Sequence, residues 1–367
     1  MMKQLGRIFV GIFLLFLLIV LVPLVGVGLQ CWSTVEAEAI KPAQVEPITA
    51  DLTNYARPED QTYLTLPEWY IVYSADEYAD FISRNRPSHF PYFQAITQYW
   101  ENYYAVCAVT RDRYPFNSDY HLTLAVIGTS FTVENILKGL YENTIGRLTE
   151  WLSSPELTEE DVLARQVAKE YGDFIHTIPW YEFPFGEKFN QLWQRTSWAG
   201  PNIIRKWERK MALSLEFGGK AFYAGLIKQG TQTAYAPEEL EIQAWVEGLS
   251  DQILRQEPQV RLIKDINGQA AIAAIPRYEA FSQRVPELTQ QGVRFVEIAG
   301  NDAILITLLS RRSWAYDLPA GEFLFSQPIL TQPEQKRVAV KVPVTALHMV
   351  LNSLESRRLQ LEHIYDY

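Results

Sequence analysis

Cysteine is scarce in this chain: two residues in 367, Cys31 and Cys107. That excludes a disulfide framework and a cysteine-rich metal site. Cys31 falls at the edge of a long apolar run, and Cys107 stands alone in the remainder. Histidine is nearly as rare. The five residues His89, His121, His176, His348 and His363 do not cluster along the chain. No Gly-x-Ser-x-Gly, phosphate loop, His-Glu-x-x-His or dinucleotide fingerprint occurs, so no cofactor is expected and a hydrolase has no anchor residue. Positive charge is also short, 33 Lys and Arg against 43 Asp and Glu, for a net charge of −10. Such a chain repels phosphate backbones, so nucleic acid is not an expected partner. Broad adhesion to anionic lipid is disfavoured for the same reason.

What is present begins with Ile8–Leu29, an apolar run of 22 residues. At about 1.5 Å per residue it reaches about 33 Å, enough for a hydrocarbon core of about 30 Å. Lys3 and Arg7 precede it, and Glu36, Glu38, Glu46 and Asp51 follow against a single Lys41. The expectation is a transmembrane anchor at 1–30, retained rather than cleaved, because secretory apolar regions are shorter. Positive residues stay inside. The protein then belongs to a bacterial-type inner (plasma) membrane as a single-pass chain, with a cytoplasmic N-terminus and the bulk exported. The membrane, through residues 8–29, is its expected partner.

Residues 31–60 read as a stalk broken by Pro42, Pro47 and Pro58. From about 61 to 256 the apolar period is mostly helical, and a repeat lies inside it. Glu77-Tyr78-Ala79-Asp80-Phe81-Ile82 returns as Glu170-Tyr171-Gly172-Asp173-Phe174-Ile175. At the same offset of 93, Phe90-Pro91 returns as Phe183-Pro184, and Gln98 and Trp100 return as Gln191 and Trp193. Further on, at an offset of 82, Glu134, Lys138, Tyr141 and Ile145 return as Glu216, Lys220, Tyr223 and Ile227. Two copies, about 61–150 and 155–232, are therefore expected to pack about a pseudo-two-fold axis.

From 257 the period becomes two. Strands are expected at Gln269–Arg277, Val293–Ala299, Ala303–Ser310, Arg337–Val342 and Leu359–Tyr365, with the second and third joined as a hairpin across Gly300-Asn301-Asp302. Helices are expected at Tyr278–Gln291 and Val344–Ser356. The predicted fold class is thus α+β: an N-terminal transmembrane helix, a duplicated all-helical domain, and a C-terminal ferredoxin-like α+β sandwich at 257–367 with one extra strand.

Chemistry has few candidates. Glu134 and Lys138 stand one helical turn apart on a face that is otherwise apolar, as do Glu216 and Lys220. With Tyr141 and Tyr223 they form a candidate ligand site, or a half-buried network between the copies. The run Trp180-Tyr181-Glu182-Phe183-Pro184-Phe185 is the densest aromatic stretch, and Trp180 and Tyr181 join the candidate list as a groove wall. Glu77, Asp80, Glu170 and Asp173 resemble part of a carboxylate metal pair, but the Glu-x-x-His spacing of such sites is missing. No catalytic or metal-binding residue is assigned. The functional expectation is a binding or scaffolding module of the cell envelope, with an envelope protein or apolar ligand as partner. The alternative is an enzyme or apolar-ligand carrier with a pocket between the helical copies.

Overall fold

The computed structural model describes residues 21–36, 48–49, 52, 55–230 and 240–367. In chain order the elements are α1 (Gln61–Arg84), a 3-10 turn (Pro87–His89), α2 (Tyr92–Thr110), α3 (Ser118–Tyr141), a π turn (Glu142–Gly146) and α4 (Arg147–Trp151). Then come α5 (Glu159–Ile175), a 3-10 turn (Trp180–Glu182), α6 (Phe185–Arg195) and α7 (Ile203–Gly230). The rest is β1 (Glu241–Glu247), α8 (Asp251–Gln256), β2 (Arg261–Ile266), β3 (Ala270–Pro276), α9 (Glu279–Gln290), β4 (Arg294–Ile298), β5 (Ala303–Arg311), β6 (Glu322–Ile329), β7 (Gln332–Pro343), α10 (Leu347–Arg357) and β8 (Gln360–Tyr365).

The chain divides into two units. One comprises residues 1–68, 98–132 and 235–367; the other comprises 69–97 and 133–234. The first unit holds two open antiparallel sheets of four strands, ordered β2-β3-β1-β4 and β6-β7-β5-β8. The two orders are one pattern used twice, since β5 to β8 take the places of β1 to β4. Register runs from Glu241↔Pro276 to Glu247↔Ala270 between β1 and β3, and from Ala303↔Pro343 to Arg311↔Gln335 between β5 and β7. Strand β1 alternates, with Ile242, Ala244 and Val246 buried and their neighbours wetter, the mark of a sheet with one covered face. One apolar core takes side chains from both sheets together with Phe281, Val285 and Leu288 of α9 and Leu347, Val350 and Leu354 of α10. Thr62 ties the start of α1 to the second sheet: its hydroxyl donates to the Tyr365 carbonyl (2.6 Å) and accepts from the Leu305 amide (3.1 Å).

This architecture corrects the expected fold class on two counts. Among the described residues no helix is long and apolar enough to cross a membrane. Residues 8–20 of the expected anchor lie outside the described residues, and 21–30 are helical. There Val27 is buried, and a Cβ on Gly26 would clash with the Tyr104 hydroxyl, so one face of this stretch packs on protein while Leu21, Val22, Leu24, Val25 and Leu29 are exposed. The transmembrane helix, the single-pass topology, the membrane as partner and the inner-membrane localisation with a cytoplasmic N-terminus are corrected accordingly. Second, two sheets replace the single ferredoxin-like sandwich. The expected hairpin of β4 with β5 does not form: β4 pairs with β1, and β5 pairs with β7 and β8. Ala299 and Gly300 both take positive φ, 52° and 71°. The Ala299 amide stays bonded to the Gln243 carbonyl of β1, and the chain beyond it enters the other sheet.

The two helical runs share an order of elements: helix, 3-10 turn, helix, then the helix bearing the Glu-x3-Lys pair. Their local contacts correspond at the expected offsets. Tyr78 meets Phe90 edge-on at 5.0 Å and Tyr171 meets Phe183 edge-on at 5.2 Å. The Trp100 indole donates to Thr132, and the Trp193 indole donates to Ser214, both at 3.0 Å. Those hydroxyls donate back to Gly128 and Lys210 carbonyls one turn earlier, each at 2.7 Å.

Candidate functional site

Three constellations concentrate the chemistry. The first is the twin Glu-Lys set, all within the second unit. Lys138 lies 3.0 Å from Glu134 and 2.7 Å from Glu216; Lys220 lies 2.8 Å from Glu134 and 3.6 Å from Glu216. The four charges close a ring. Each lysine also sits over a ring of the repeated EYxDF segment, Lys138 over Tyr78 at 5.3 Å and Lys220 over Tyr171 at 5.1 Å, within cation–π reach. Burial alone would push both glutamates up. The ammonium groups of Lys220 and Lys138 override it and hold both carboxyls below the usual carboxylate range. Lys138 is depressed by burial but raised further by Glu216 and Glu134, ending above its ordinary value.

The remaining candidates go elsewhere. Tyr141 donates to Glu208 at 2.6 Å. Tyr223 meets Trp180 tilted at 5.4 Å, and Tyr181 meets Trp180 at 6.2 Å, an aromatic group outside the ring of four charges. Asp80 and Asp173 pair with Arg84 and Lys169 one turn away, and Glu170 pairs with Lys188.

The ring of charges is half-buried, with Glu134 the most exposed at 41 %. Glu134→Gln and Lys220→Met are each expected to cost about 1–2 kcal/mol, between the ranges for exposed and buried pairs. The double variant should recover at least about 0.5 kcal/mol of the summed loss in urea denaturation; strict additivity would mean the pairs are independent. The pH dependence has a definite sign. Carboxyls with a lowered folded pKa stabilise above their unfolded value, about 4.3, and lose that stabilisation as pH falls towards the folded value. Lys138, raised on folding, stabilises below its unfolded value, about 10.4, and loses this as pH rises through the folded value. The coupling should therefore be full between about pH 5 and 10 and shrink below about pH 4.

The second constellation was not foreseen. Arg205, Lys206, Arg209 and Lys210 on α7 are all at most 3 % exposed. Arg205 donates to Asp161 (2.9 Å) and Glu208 (3.1 Å) and faces Glu150 at 3.3 Å. Arg209 donates to Glu142 at 2.7 Å, and Lys206 reaches Glu159 at 2.6 Å and Glu160 at 3.0 Å. Lys210 donates to the Thr196 and Ser197 carbonyls and lies 5.5–5.8 Å from the rings of Trp193, Trp198 and Trp207. The π turn exists alongside this network: a Cβ on Gly146 would lie 2.4 Å from the Glu142 carboxylate, so only glycine leaves that carboxylate its place. Asp161 also closes a capping box with Thr158 at the start of α5. Every cation here has an internal partner, which marks the network as structural.

The third constellation lies in the first unit and corrects the reading of the cysteines. Cys31 and Cys107 are joined as a disulfide with Cα atoms 4.6 Å apart across 76 residues of sequence. The donor atoms of Cys31, Cys107 and His121 all lie within 4.8 Å of one another. All three residues are buried. Among the described residues this is the one group of three or more His, Cys, Asp or Glu side chains placed to hold a metal ion. The His121 ring is fixed on both sides: Nδ1 lies 2.8 Å from the Tyr103 hydroxyl, and Phe116 stacks on it at 4.5 Å, 5° from parallel. Burial pushes its pKa down to about 4, so the imidazole is neutral at pH 7. A cavity of about 10 Å³, on the order of one water, is lined by Cys31, His121 and Asp60 among others. The histidine spacing carries no hint of this; the pairing of two cysteines in a chain with only two was the available signal.

Comparison with protein-family models, curated proteins and solved structures finds no match to this chain.

Proposed function

We propose that the protein is a ligand-binding protein whose ligand is a thiophilic d10 metal ion, zinc(II) being the reference case, admitted when the Cys31–Cys107 disulfide is opened. The observation that carries this reading is the convergence of Cys31, Cys107 and His121. It replaces the membrane-anchored scaffold and keeps from the alternative, an enzyme or apolar-ligand carrier with a pocket between the helical copies, only that a ligand is bound. The chemistry balances with a dithiol as reductant. The dithiol is oxidised to its own disulfide, and Cys31 and Cys107 each gain one electron and one proton. Binding of the ion then releases the two thiol protons. Two thiolates and one imidazole match the three-protein-ligand pattern of zinc sites that keep an open position. Tyr103 on Nδ1 would orient the ring and leave Nε2 as the donor.

The test uses the full chain, oxidised and dithiol-reduced, with cobalt(II) as a spectroscopic stand-in and zinc(II) counted by native mass spectrometry. One ion per reduced chain and none per oxidised chain is expected, with His121→Ala weakening binding at least about tenfold. Equal uptake by oxidised and reduced protein, or uptake indifferent to His121, overturns the proposal.

A second reading keeps Glu134, Lys138, Glu216 and Lys220 as a ligand site with Tyr141, Tyr223, Trp180 and Tyr181. It rests on the partial exposure of Glu134 and requires a ligand to replace ion pairs of 2.7–3.6 Å. Charge-ring variants that keep full stability yet lose a bound ligand would favour it.

A further inference from the structure

A cavity of about 830 Å³ opens at one end of the β6-β7-β5-β8 sheet. Its size is within the range of small-molecule sites, about 300–1,000 Å³. It is built where β5 ends, β7 begins and the turn from α10 enters β8, and its lining includes Arg311, Arg312, Arg358 and Glu334. Three positive charges against one negative make this a reversal of sign in a chain of net charge −10.

The arginines themselves are the informative part. Buried and half-buried arginines elsewhere are engaged: Arg205, Arg209, Arg284 and Arg337 all bind carboxylates. The guanidinium groups of Arg311, Arg312 and Arg358 have no such partner among the described residues; only their backbones are bonded, Arg312 to the Glu334 carbonyl at 2.7 Å and Arg358 to Glu355 at 3.0 Å. All three are exposed. Arg358 moreover holds φ +58° and ψ +39° at the C-terminus of α10. That is the left-handed position where helices usually place glycine, yet here it carries a long cation, and the residue lines the cavity. Leu359 beneath it is buried and offers an apolar floor, while Ser313, Gln335 and Gln360 add neutral hydrogen-bonding groups.

Each guanidinium presents a planar fork of donors that matches the two oxygens of a carboxylate or phosphate. We propose that this cavity binds a small organic oxyanion bearing at least two negative charges, held by Arg311, Arg312 and Arg358. The inference is independent of the cysteine–histidine centre, and neither depends on the other.

Isothermal titration calorimetry on the full-length oxidised protein tests it, with inorganic pyrophosphate and citrate as probes. Binding of at least one probe is expected, weakening as salt rises, since exposed charges are screened. Tighter binding of pyrophosphate identifies a phosphate ligand, and tighter binding of citrate a carboxylate. Arg311→Gln, Arg312→Gln and Arg358→Gln should each weaken binding about tenfold or more, and the triple variant should show none, with thermal midpoints unchanged. Arg312→Lys keeps the charge but not the fork and should fall between wild type and glutamine. Absence of binding for both probes, or binding by the triple variant equal to wild type, overturns the proposal.

Discussion

Arg205→Met is expected to destabilise the protein by about 3–5 kcal/mol, the range for breaking a buried ion pair from one side. The reason is what the substitution leaves behind. Arg205 is 1 % exposed and serves Asp161, Glu208 and Glu150, with additional bonds to Thr149 and the Gly146 carbonyl. Methionine fills much of the volume but satisfies none of these. Asp161 keeps its capping bonds to Thr158 and loses its nearest cation. Its carboxyl, pushed up by burial yet held below the usual range by Arg205, should then rise. Glu208 keeps Arg209 and Tyr141 and is affected less. Urea denaturation gives the measurement: the midpoint should fall with little change in slope. Asp161→Asn in the same background should cost less than it does alone, because Arg205 is no longer there to be stranded. A loss under about 1 kcal/mol would show that solvent reaches the network and screens its charges.

That network also shows where sequence reasoning stops. Arg-Lys-Trp-Glu-Arg-Lys at 205–210 reads locally as a solvated helix face, since i,i+4 cations are ordinary on surfaces. Its acidic partners at 142, 150 and 159–161 lie over 40 residues away, and no periodicity within α7 points to them. The Glu134–Lys138 pair differed because its twin was visible in the same chain, and the offset named which groups would correspond. The rare residues of the repeat, Trp100 with Trp193 and Phe90-Pro91 with Phe183-Pro184, named which positions would correspond, but not their partners: the indole bonds to Thr132 and Ser214 came only with the structure. Strand positions such as 270–276 and 360–365 followed from alternation, whereas partners did not. Alternation says which face is wet and nothing about whether β4 continues into β5 or leaves the sheet. The apolar run at 8–29 misled for a related reason: composition cannot distinguish residues that meet lipid from residues such as Gly26 and Val27 that meet the folded chain.

The Cys31–Cys107 pair carries the other large expected effect. A link across 76 residues removes unfolded-state entropy equivalent to about 4–5 kcal/mol in the loop-closure model, an upper figure because real unfolded chains retain structure. Cys31→Ala with Cys107→Ala should therefore lower stability by about 2–5 kcal/mol. Alanine is the appropriate replacement, since at 0 % exposure for Cys107 a serine would bury a hydroxyl and add its own cost. Dithiol reduction of the native chain should give a similar loss, because both changes release the same loop. The two then part on adding zinc(II). A metal that binds the folded, reduced chain stabilises it by RT ln(1 + [L]/Kd), about 2.7 kcal/mol at a hundredfold excess over Kd. The reduced native chain should recover by that order, whereas the alanine pair, with no thiolates, should not move. His121→Ala in the reduced chain should recover less, since one of three donors is gone. An alanine pair as stable as the oxidised protein would remove the structural role of the disulfide. Equal recovery in reduced chain and alanine pair would mean that zinc acts elsewhere on the protein.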